Sequence, residues 1–519
     1  MKYVSGPYFE PDFDPLLDRF GTPGVVVDND TREDCTLVKV DSVNRDGVLL
    51  EMVQLLTDLD LVISKSYISS DGGWLMDVFH VTDQIGRKLT DPSLPEFIQR
   101  ALVPTHRPGD GPSPRFTTCL GNVVGPGGPD VSDCAALEFT VHDRPGLLSS
   151  ITSVLVDNGC HVASGQAWTH NGRAAGVLYV TATAGGATLH PSRWARIERL
   201  VNAVVDAREN VTGERHWVCM SEPVRGRVHT ERRLHQLMHD DRDYESGPAP
   251  TPVDEGLFST AETARRTETR VSIGSWEDRG YAVVKMTGRD RPRLLFDTVC
   301  ALTDMQYVVF HATIGSQGAL AIQEYYIRHK DGRTVDSNAE RQKVSRCLVA
   351  AVERRATHVR LNHSSPLCLA VVASDGGPLT HAVARCHDLQ GVRVEVRAAD
   401  RSGLLSDFTR VLREHGMSLL RVELKRNEDE AFGIFYLVTD SGGEVRAEAV
   451  RAVKARVAEM DILLDIVKEA PDWPPVRKTS VPAPPVVGQQ ALDRPRPSLG
   501  SLLWSHLGKL SNNFSHIRS

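Results

Sequence analysis

Residues 143–148 read Asp143-Arg144-Pro145-Gly146-Leu147-Leu148, and the chain writes a version of this stretch four times. The other versions are Asn44-Arg45-Asp46-Gly47-Val48-Leu49, Asp290-Arg291-Pro292-Arg293-Leu294-Leu295 and Asp400-Arg401-Ser402-Gly403-Leu404-Leu405. A glycine follows 42 positions after each opening Asn or Asp, at Gly86, Gly185, Gly332 and Gly442. Because short matches arise easily by chance, it is this shared register that indicates four copies of one unit, numbered one to four in chain order.

Each copy is predicted to fold as βαββαβ. An apolar run with partial alternation, such as residues 136–141, precedes the repeated stretch and suits a strand. Apolar residues then recur at helical spacing, as Leu147, Leu148, Ile151 and Leu155 do in copy two. Two strands joined by a tight turn, a second helix and a last strand complete the unit. The predicted fold class is therefore α+β: four tandem ferredoxin-like units, each with helices on one face of an antiparallel sheet.

An isolated sheet of this kind leaves unpaired strand edges, so we expect the sheets of the copies to pair edge to edge. The predicted segments are an irregular N-terminal arm at 1–34, the copies at 35–112, 134–213, 281–358 and 391–469, a polar insertion at 222–278 and a Pro-rich tail at 471–519. In the insertion, residues 230–238 predict a helix capped by Thr230 that docks across two copies. Apolar residues from Leu499 to Leu510 predict a short amphipathic helix that docks on a copy or a partner.

Composition excludes several classes of protein. Lys and Arg number 60 against 67 Asp and Glu, and this net charge of −7 offers no electrostatic footprint for nucleic acid. The nine cysteines form no C-x-x-C pair, so neither a disulfide framework nor a zinc site is predicted, and the reducing cytoplasm or the nucleus is expected. No run reaches the roughly 18 apolar residues of a membrane span, and no targeting pattern is visible.

The candidate functional site is the loop between the first strand and the first helix of each copy. The first N–H groups of that helix carry a positive partial charge and point to a position where an amino-acid carboxylate would bind. The opening Asn or Asp would accept a hydrogen bond from the ligand's ammonium group, and the glycine would let the ligand approach closely. The candidate binding residues are Asn44, Gly47, Asp143, Gly146, Asp290, Asp400 and Gly403. The alternative interpretation is structural: the opening residue only caps the helix, and the glycine only relieves crowding.

Copy three departs from this pattern, because Arg293 stands where the other copies have glycine. A long cation there either blocks the pocket or pairs with an acidic group of the ligand. Its presence also indicates that bulk is tolerated, so replacing Gly146 or Gly403 is predicted to remove binding with little loss of stability. If these glycines instead serve a positive φ, stability is expected to fall together with binding.

Four further segments are distinctive: Ser69–Phe79, Asp297–Cys300, Phe310–Thr313 and Glu324–Ile327. With the repeated stretch, they resemble the ACT domain, a small regulatory module that binds amino acids beside many metabolic enzymes. Over residues 35–468 the chain is similar to the plant ACT domain repeat proteins, a family of four ACT domains with no catalytic domain. This resemblance implies a ligand site between two copies, completed by the second strand of the partner copy.

The copies more distantly resemble the ACT region of bacterial uridylyltransferase, which raises the question of catalytic metal ligands. The pairs to consider are His239-Asp240-Asp241 and His387-Asp388. They lack partner ligands at helical spacing, and no nucleotidyl-transfer or catalytic-triad motif accompanies them. No catalytic residue, metal site or cofactor is therefore predicted.

The predicted function is a non-catalytic regulatory sensor of a free amino acid, in which the ligand changes how copies pair. The protein would act through an unidentified protein partner, and a homo-oligomer is compatible with this function. The alternative is a constitutive interaction scaffold that binds no ligand. An enzyme has the least support.

Overall fold

The computed structural model of the chain describes residues 23–71, 73–102, 116–118, 123–124, 134–182, 191–207, 215–221, 229–245, 269–355, 392–427, 430–440 and 445–467. These residues form two compact units. The first unit holds the described residues up to 124 and from 269 to 345, and thus copy one and most of copy three. The second holds those from 134 to 245 and from 346 to 467, which include copies two and four.

Each copy contains the predicted strand–helix–strand–strand–helix core, and copies two and four also have the predicted last strand. Copy one comprises β1 Gly24–Asp28, β2 Thr36–Val43, α1 Val48–Asp58, β3 Val62–Asp71, β4 Trp74–Thr82 and α2 Leu94–Ala101, followed by the short pair β5 Phe116–Thr117 and β6 Val123–Val124. Copy two comprises β7 Ala135–His142, α3 Leu147–Asp157, β8 Cys160–His170, β9 Arg173–Ala182, α4 Pro191–Asp206 and β10 Trp217–Ser221, followed by α5 Thr230–Asp240. Copy three comprises β11 Arg270–Trp276, β12 Tyr281–Arg289, α6 Leu294–Asp304, β13 Tyr307–Gln317, β14 Leu320–His329 and α7 Asn338–Glu353. Copy four comprises β15 Val392–Ala399, α8 Leu404–Glu414, β16 Met417–Asn427, β17 Glu430–Thr439, α9 Ala447–Ala458 and β18 Leu463–Val467.

Each unit contains one eight-stranded antiparallel sheet built from two copies. The first sheet has the order β1-β2-β4-β3-β13-β14-β12-β11, and the second has the order β10-β7-β9-β8-β16-β17-β15-β18. Copies one and three therefore join through β3 and β13, and copies two and four join through β8 and β16. The predicted α+β class and the edge-to-edge pairing of sheets are both confirmed.

The junction between the two copies has the same register in both sheets. Tyr67 pairs with Thr313 in the first sheet, and Gln166 pairs with Glu423 in the second. Each of these residues lies 23 positions after the Asn or Asp that opens its copy, so each pairs with its own equivalent. An antiparallel pair centred on equivalent residues relates the two copies by an approximate twofold axis. Within each unit, the two repeated loops therefore occupy equivalent positions.

The outermost strands correct two of the predicted segments. Copies two and four end in β10 and β18 as predicted, but copies one and three take their outer strand from the chain before them. Gly24–Asp28 is a strand inside the arm predicted to be irregular, and Arg270–Trp276 is a strand inside the predicted polar insertion. The first has an apolar run of only three residues, too short for periodicity to identify. The second alternates, with Val271 and Ile273 two residues apart, and that signal was available in the sequence.

Within each unit, the helices of both copies pack on the same face of the sheet, where their apolar stripes are buried. In α3 the predicted residues Leu147, Leu148, Ile151 and Leu155 are all buried. They share one core with the equivalent stripe of α8 and with inward residues of both copies' strands. The spacing of apolar residues thus predicted this helix and its buried face.

Helix α5 of the insertion corrects the expectation of helices on one face only. It covers the other face of the copy-two sheet, where Leu234, Leu237 and Met238 pack around the fully buried Trp168. The helix cap is His229, whose Nδ1 accepts from the Arg232 N–H at 3.1 Å, and not Thr230 as predicted. A histidine in extended backbone before the first turn fills the capping role that Thr was expected to fill.

Some predicted features lie outside the described residues: the glycines at positions 185 and 442, the segment 471–519 with its terminal helix, and the pair His387-Asp388. The two described members of the glycine register, Gly86 and Gly332, have φ of 79° and 85°. Within the described part of the chain, no helix combines the length and apolarity needed to cross a membrane.

Candidate functional site

The repeated loop turns into its helix through a left-handed residue in all four copies. The N-cap positions are Gly47, Gly146, Arg293 and Gly403, with φ of 83°, 73°, 65° and 85°. No side chain caps these four helices, so the alternative interpretation of the opening Asn or Asp as the helix cap was wrong. The opening residue lies three positions earlier, and in copy two its N–H donates to the Gly172 carbonyl at 2.8 Å, extending the sheet ladder. The left-handed backbone at this position thus favours glycine, and Arg293 adopts the same conformation with a side chain.

In copy two, the first turn of α3 leaves two N–H groups that have no acceptor within the helix. The Leu147 N–H donates to the Arg144 carbonyl at 3.1 Å, and the Ser150 N–H donates to the Gly146 carbonyl at 3.0 Å. The N–H groups of Leu148 and Ser149 lie between them, where an α-helix offers no intrahelical acceptor. Copy four repeats the arrangement, with bonds from Leu404 and Asp407 at 3.3 and 2.9 Å. Each loop therefore presents partial positive charge.

In the second unit, each loop borders a cleft whose opposite wall comes from the other copy. The Asp143 cleft encloses about 510 Å³, part of it open solvent, between the copy-two loop and the start of β16. Its lining includes Asp143, Gly146, Leu147 and Ser149 from the loop and helix, and Leu412, Met417, Leu419 and Arg421 from copy four. The Asp400 cleft encloses about 620 Å³ between the copy-four loop and the start of β8. Its lining includes Asp400, Gly403, Leu404 and Ser406 from the loop and helix, and Val156, Cys160, His161 and Val162 from copy two.

Asp143 is a partly buried carboxyl group. Burial raises its pKa to about 6, although His142, the Arg144 N–H and the Arg144 guanidinium each favour the ionised form. The stem of Arg413 lies across the neighbouring glycine, since a Cβ built on Gly146 would stand 2.4 Å from Arg413 Cδ. The cleft therefore combines a carboxyl group with a helix N-terminus, and the stem of a basic residue from the other copy lies against the glycine between them.

Asp400 has a different environment, because a histidine and an arginine side chain already contact it. His161 Nε2 of copy two lies 3.0 Å from Asp400 Oδ1, and Arg426 Nε lies 2.9 Å from Asp400 Oδ2. The carboxylate is about one-tenth exposed, and His161 is nearly as buried. Sequence reasoning missed this pair, because His161 and Arg426 lie in different copies from each other and outside the repeated loop.

The remaining candidate residues lie in the first unit. Asn44 and Gly47 belong to the copy-one loop, where the Asn44 N–H donates to the Gly73 carbonyl at 2.8 Å. Beside them, Lys330 Nζ of copy three lies 2.7 Å from Asp46 Oδ2. Burial raises the pKa of Asp290 in the copy-three loop, and a hydrogen bond from Ser316 partly offsets the shift. The structure thus brings Asp143 with Gly146 and Asp400 with Gly403 into clefts of the second unit, and neither cleft includes the first-unit loops.

A further buried carboxyl group in the first unit was missed. Asp77 on β4 is 1% exposed, and its Oδ1 accepts from the Ser69 N–H at 3.2 Å. Burial raises the pKa of this carboxyl to about 8, so it is mostly protonated at neutral pH. The signal available in the sequence was an Asp within the apolar run Trp74–Phe79, where strand alternation predicts an inward side chain.

The histidine–aspartate pair of α5 has structural contacts. The His239 ring stacks on Tyr244 with ring centroids 5.6 Å apart, and Asp241 accepts from Arg173 Nε and Nη2 at 2.6 and 2.8 Å. Among the residues that the structure describes, no three His, Cys, Asp or Glu side chains are grouped to hold a metal ion.

Comparison with known families supports the ACT resemblance. The ACR family N-terminal ACT domain matches residues 31–109, and the ACT domain matches residues 392–458. The bifunctional uridylyltransferase/uridylyl-removing enzyme of Nitrobacter hamburgensis is 32% identical over 81 residues, which are 16% of this chain and 9% of that enzyme.

Two proteins of Arabidopsis thaliana match over nearly the whole chain. The ACT domain-containing protein ACR3 is 39% identical over 472 residues, which are 91% of this chain and 93% of the relative. The ACT domain-containing protein ACR1 is 39% identical over 525 residues and covers 100% of both chains. With its repeated loop, its paired ferredoxin-like sheets and these matches, the chain belongs to the ACR family of ACT domain-containing proteins.

Proposed function

We propose that this protein is a non-catalytic sensor that binds a free α-amino acid in the Asp143 cleft and acts through another protein. The observation that carries this proposal is the arrangement at the cleft mouth. A carboxyl group and two N–H groups of a helix N-terminus border one space, and the stem of Arg413 lies against Gly146 beside it. An α-amino acid carries the two charges that complement such a space.

The ammonium group of the ligand would bind Asp143. Because burial raises the pKa of this carboxyl to about 6, holding it ionised without a partner is unfavourable. A ligand ammonium group offsets that penalty and stabilises the carboxylate. The ligand carboxylate would accept from the N–H groups of Leu148 and Ser149, where the helix dipole favours negative charge.

The side chain of the ligand would lie against apolar walls. Leu147 from copy two and Leu412, Met417 and Leu419 from copy four line the space. An apolar or amphipathic amino acid matches this lining better than a doubly charged one.

Ligand binding would be sensed as a change in the pairing of copies two and four. The walls of the cleft come from both copies, and the cleft borders the junction of β8 and β16. A ligand that contacts both walls stabilises the paired state by its differential affinity for that state. The regulated output is then a surface presented to a partner protein. The relatives' names describe ACT domains, which supports a regulatory role for this chain.

The test is a thermal-shift and calorimetric screen of the common amino acids on the full chain and on Asp143→Asn. Asn keeps the shape of Asp143 and removes the charge, so amino-acid binding should be lost. The control Glu448→Gln removes a carboxylate whose side chain is 76% exposed, and it should bind like the wild type. A ligand at 100 times its dissociation constant stabilises the fold by about 2.7 kcal/mol. No shift with any amino acid would instead support the constitutive scaffold.

A further inference from the structure

Four hydroxyl side chains line the Asp143 cleft, and three of them already donate a hydrogen bond. Thr169 Oγ1 and Thr409 Oγ1 donate to backbone carbonyl groups at 3.3 and 2.7 Å, and Ser418 Oγ donates to a carboxylate at 2.6 Å. The fourth is Ser149, which is 5% exposed and whose hydroxyl has no hydrogen-bond partner among the residues that the structure describes. A buried hydroxyl of this kind is stabilised by a ligand that accepts from it.

The Ser149 side chain faces copy four. Ser149 lies one helical turn after Gly146, against which the stem of Arg413 packs, and one turn before Thr152, which lines the other cleft. Residues three positions apart lie on the same side of a helix, and α3 packs against α8 along this side. The hydroxyl is therefore held between the two copies, at the first turn of α3, where the two N–H groups have no acceptor within the helix.

The residue six positions after the opening Asn or Asp differs among the copies. It is Leu50 in copy one, Ser149 in copy two, Phe296 in copy three and Ser406 in copy four. Phe296 is completely buried, and α6 packs against α1 as α3 packs against α8. A large apolar side chain thus stands at this position in the first unit, and a small one with a hydroxyl stands there in the second. The size of this residue sets the space left beside the helix N-terminus.

Ser406 repeats the serine without the rest of the site. The carboxylate of Asp400 beside it already contacts Arg426 Nε at 2.9 Å and His161 Nε2 at 3.0 Å. In copy four, the carboxylate that a ligand ammonium group needs is thus taken. Of the two serines, Ser149 is therefore the one suited to binding an amino acid.

We infer that Ser149 determines which ligands the Asp143 cleft accepts. Its hydroxyl donates to the α-carboxylate of the amino acid, and its small side chain leaves the space that the ligand fills. The inference rests on the proposed function in placing an amino acid in this cleft. It adds a group that recognises the charge of the carboxylate, because a hydrogen bond to a charged acceptor is stronger than one to a neutral acceptor. An amide of the same amino acid should bind more weakly.

The experiment titrates leucine and its α-carboxamide, leucinamide, into the full-length protein by calorimetry. Leucine suits the apolar walls of the cleft, and leucinamide differs from it only at the carboxylate. We expect Ser149→Ala to lose about tenfold in affinity for leucine, and the ratio of leucine to leucinamide affinity to fall severalfold. A loss of packing alone would weaken both ligands equally and leave the ratio unchanged. The control Ser153→Ala, at an exposed serine of the same helix, should bind as the wild type does.

A second variant tests the size of the residue. Ser149→Phe places the side chain of Phe296 at the equivalent position of copy two, and it should abolish leucine binding by filling the space, while the protein still unfolds cooperatively. If this variant does not fold, Ser149→Ala decides the test. Wild-type leucine affinity in Ser149→Ala, or an equal loss for leucine and leucinamide, overturns the inference and leaves the proposed function standing. A wild type that does not bind leucine also overturns it, and the proposed function falls as well only if every common amino acid is silent in the thermal-shift screen.

Discussion

Each eight-stranded sheet pairs its two copies in the same register, yet the two sheets fill equivalent core positions with side chains of opposite polarity. The position 33 residues after the opening Asn or Asp is Asp77 in copy one and Gln323 in copy three. In copies two and four it is Gly176 and Gly433. Both first-unit residues are about 1% exposed, so they are polar groups inside a core.

In the second unit, glycine at this position makes space for an aromatic ring. A Cβ on Gly176 would stand 2.3 Å from Phe139 Cζ, and one on Gly433 would stand 2.5 Å from Phe435 Cε2. These same rings line the Asp143 and Asp400 clefts. In the first unit, Tyr325 Oη instead donates to Gln323 Oε1 at 2.5 Å. The comparison teaches that strand register places the loops, and that the residue at this one position sets whether the core beneath them holds a polar side chain or makes space for a ring.

The largest expected effect follows from Gly176→Asp, which places the residue type of Asp77 at the equivalent position of copy two. The new side chain would overlap the buried Phe139 ring and place a carboxyl group in an apolar core, so we expect a loss of about 3 kcal/mol or more. Hydrogen exchange measured by mass spectrometry should show faster exchange in β7, β8 and β9. The control Gly274→Ala, where a Cβ meets nothing within 4 Å, should change stability by less than about 0.5 kcal/mol. Wild-type protection in Gly176→Asp would refute this account of the core.

The next effect concerns the polar core of the first unit. The folded pKa of Asp77, about 8, lies above its ordinary value of 3.8, so the stability present at low pH is lost as pH rises toward 8. Asp77→Asn keeps an acceptor for the Ser69 N–H and cannot ionise. We expect the stability of the variant relative to the wild type to rise by up to about 1.4 kcal/mol per pH unit between pH 4 and pH 8. Calorimetric melting from pH 4 to pH 8 measures the gain, and equal curves at every pH would contradict it.

A third prediction addresses the amino-acid cleft. Because the pKa of Asp143 is about 6, the carboxylate needed by a ligand ammonium group is present above that pH and protonated below it. Affinity should therefore be constant from pH 7 to pH 8 and fall by about tenfold per pH unit, or about 1.4 kcal/mol, below pH 6. Titration calorimetry of the amino acid identified in the screen tests this. An affinity that does not change between pH 5 and pH 7 would mean that Asp143 does not bind the ammonium group.

The smallest effect concerns the N-cap position itself. Gly47 has a φ of +83° and open space around its missing Cβ, so Gly47→Ala should lose about 1 kcal/mol from backbone strain alone. Arg293 has a φ of 65° with a side chain, so Arg293→Gly should gain a similar amount unless its contacts outweigh the strain. Chemical unfolding of both variants gives the comparison. This replaces the expectation that N-cap substitutions leave stability unchanged.

The sequence predicted the parts of the fold that depend on local pattern. The apolar spacing after each loop predicted α3 with its buried face, and the 42-residue register predicted four copies. The pairing of copy one with three and of two with four was not predictable, because every second strand offers a similar edge. The strand Gly24–Asp28 was missed because three apolar residues carry no period, and only its pairing with β2 defines it.

The candidate site was predicted in part for a related reason. Asp143 and Asp400 stand at the same place in the repeat, so sequence alone assigned them one role. Their difference comes from His161 and Arg413, each supplied by the other copy. Contacts between residues more than 200 positions apart leave no local pattern, so the chemistry of each cleft emerges only once the strand pairing is known.

The most direct test of the central claim is hydrogen exchange on the full chain with and without the amino acid that gives the largest thermal shift. The account predicts added protection at the first turn of α3, around Leu148 and Ser149, and at the start of β16, near residues 417–422. Asp143→Asn should abolish this protection. Protection confined to the first unit, or no protection in either wall of the Asp143 cleft despite saturating ligand, would contradict an amino-acid site between copies two and four.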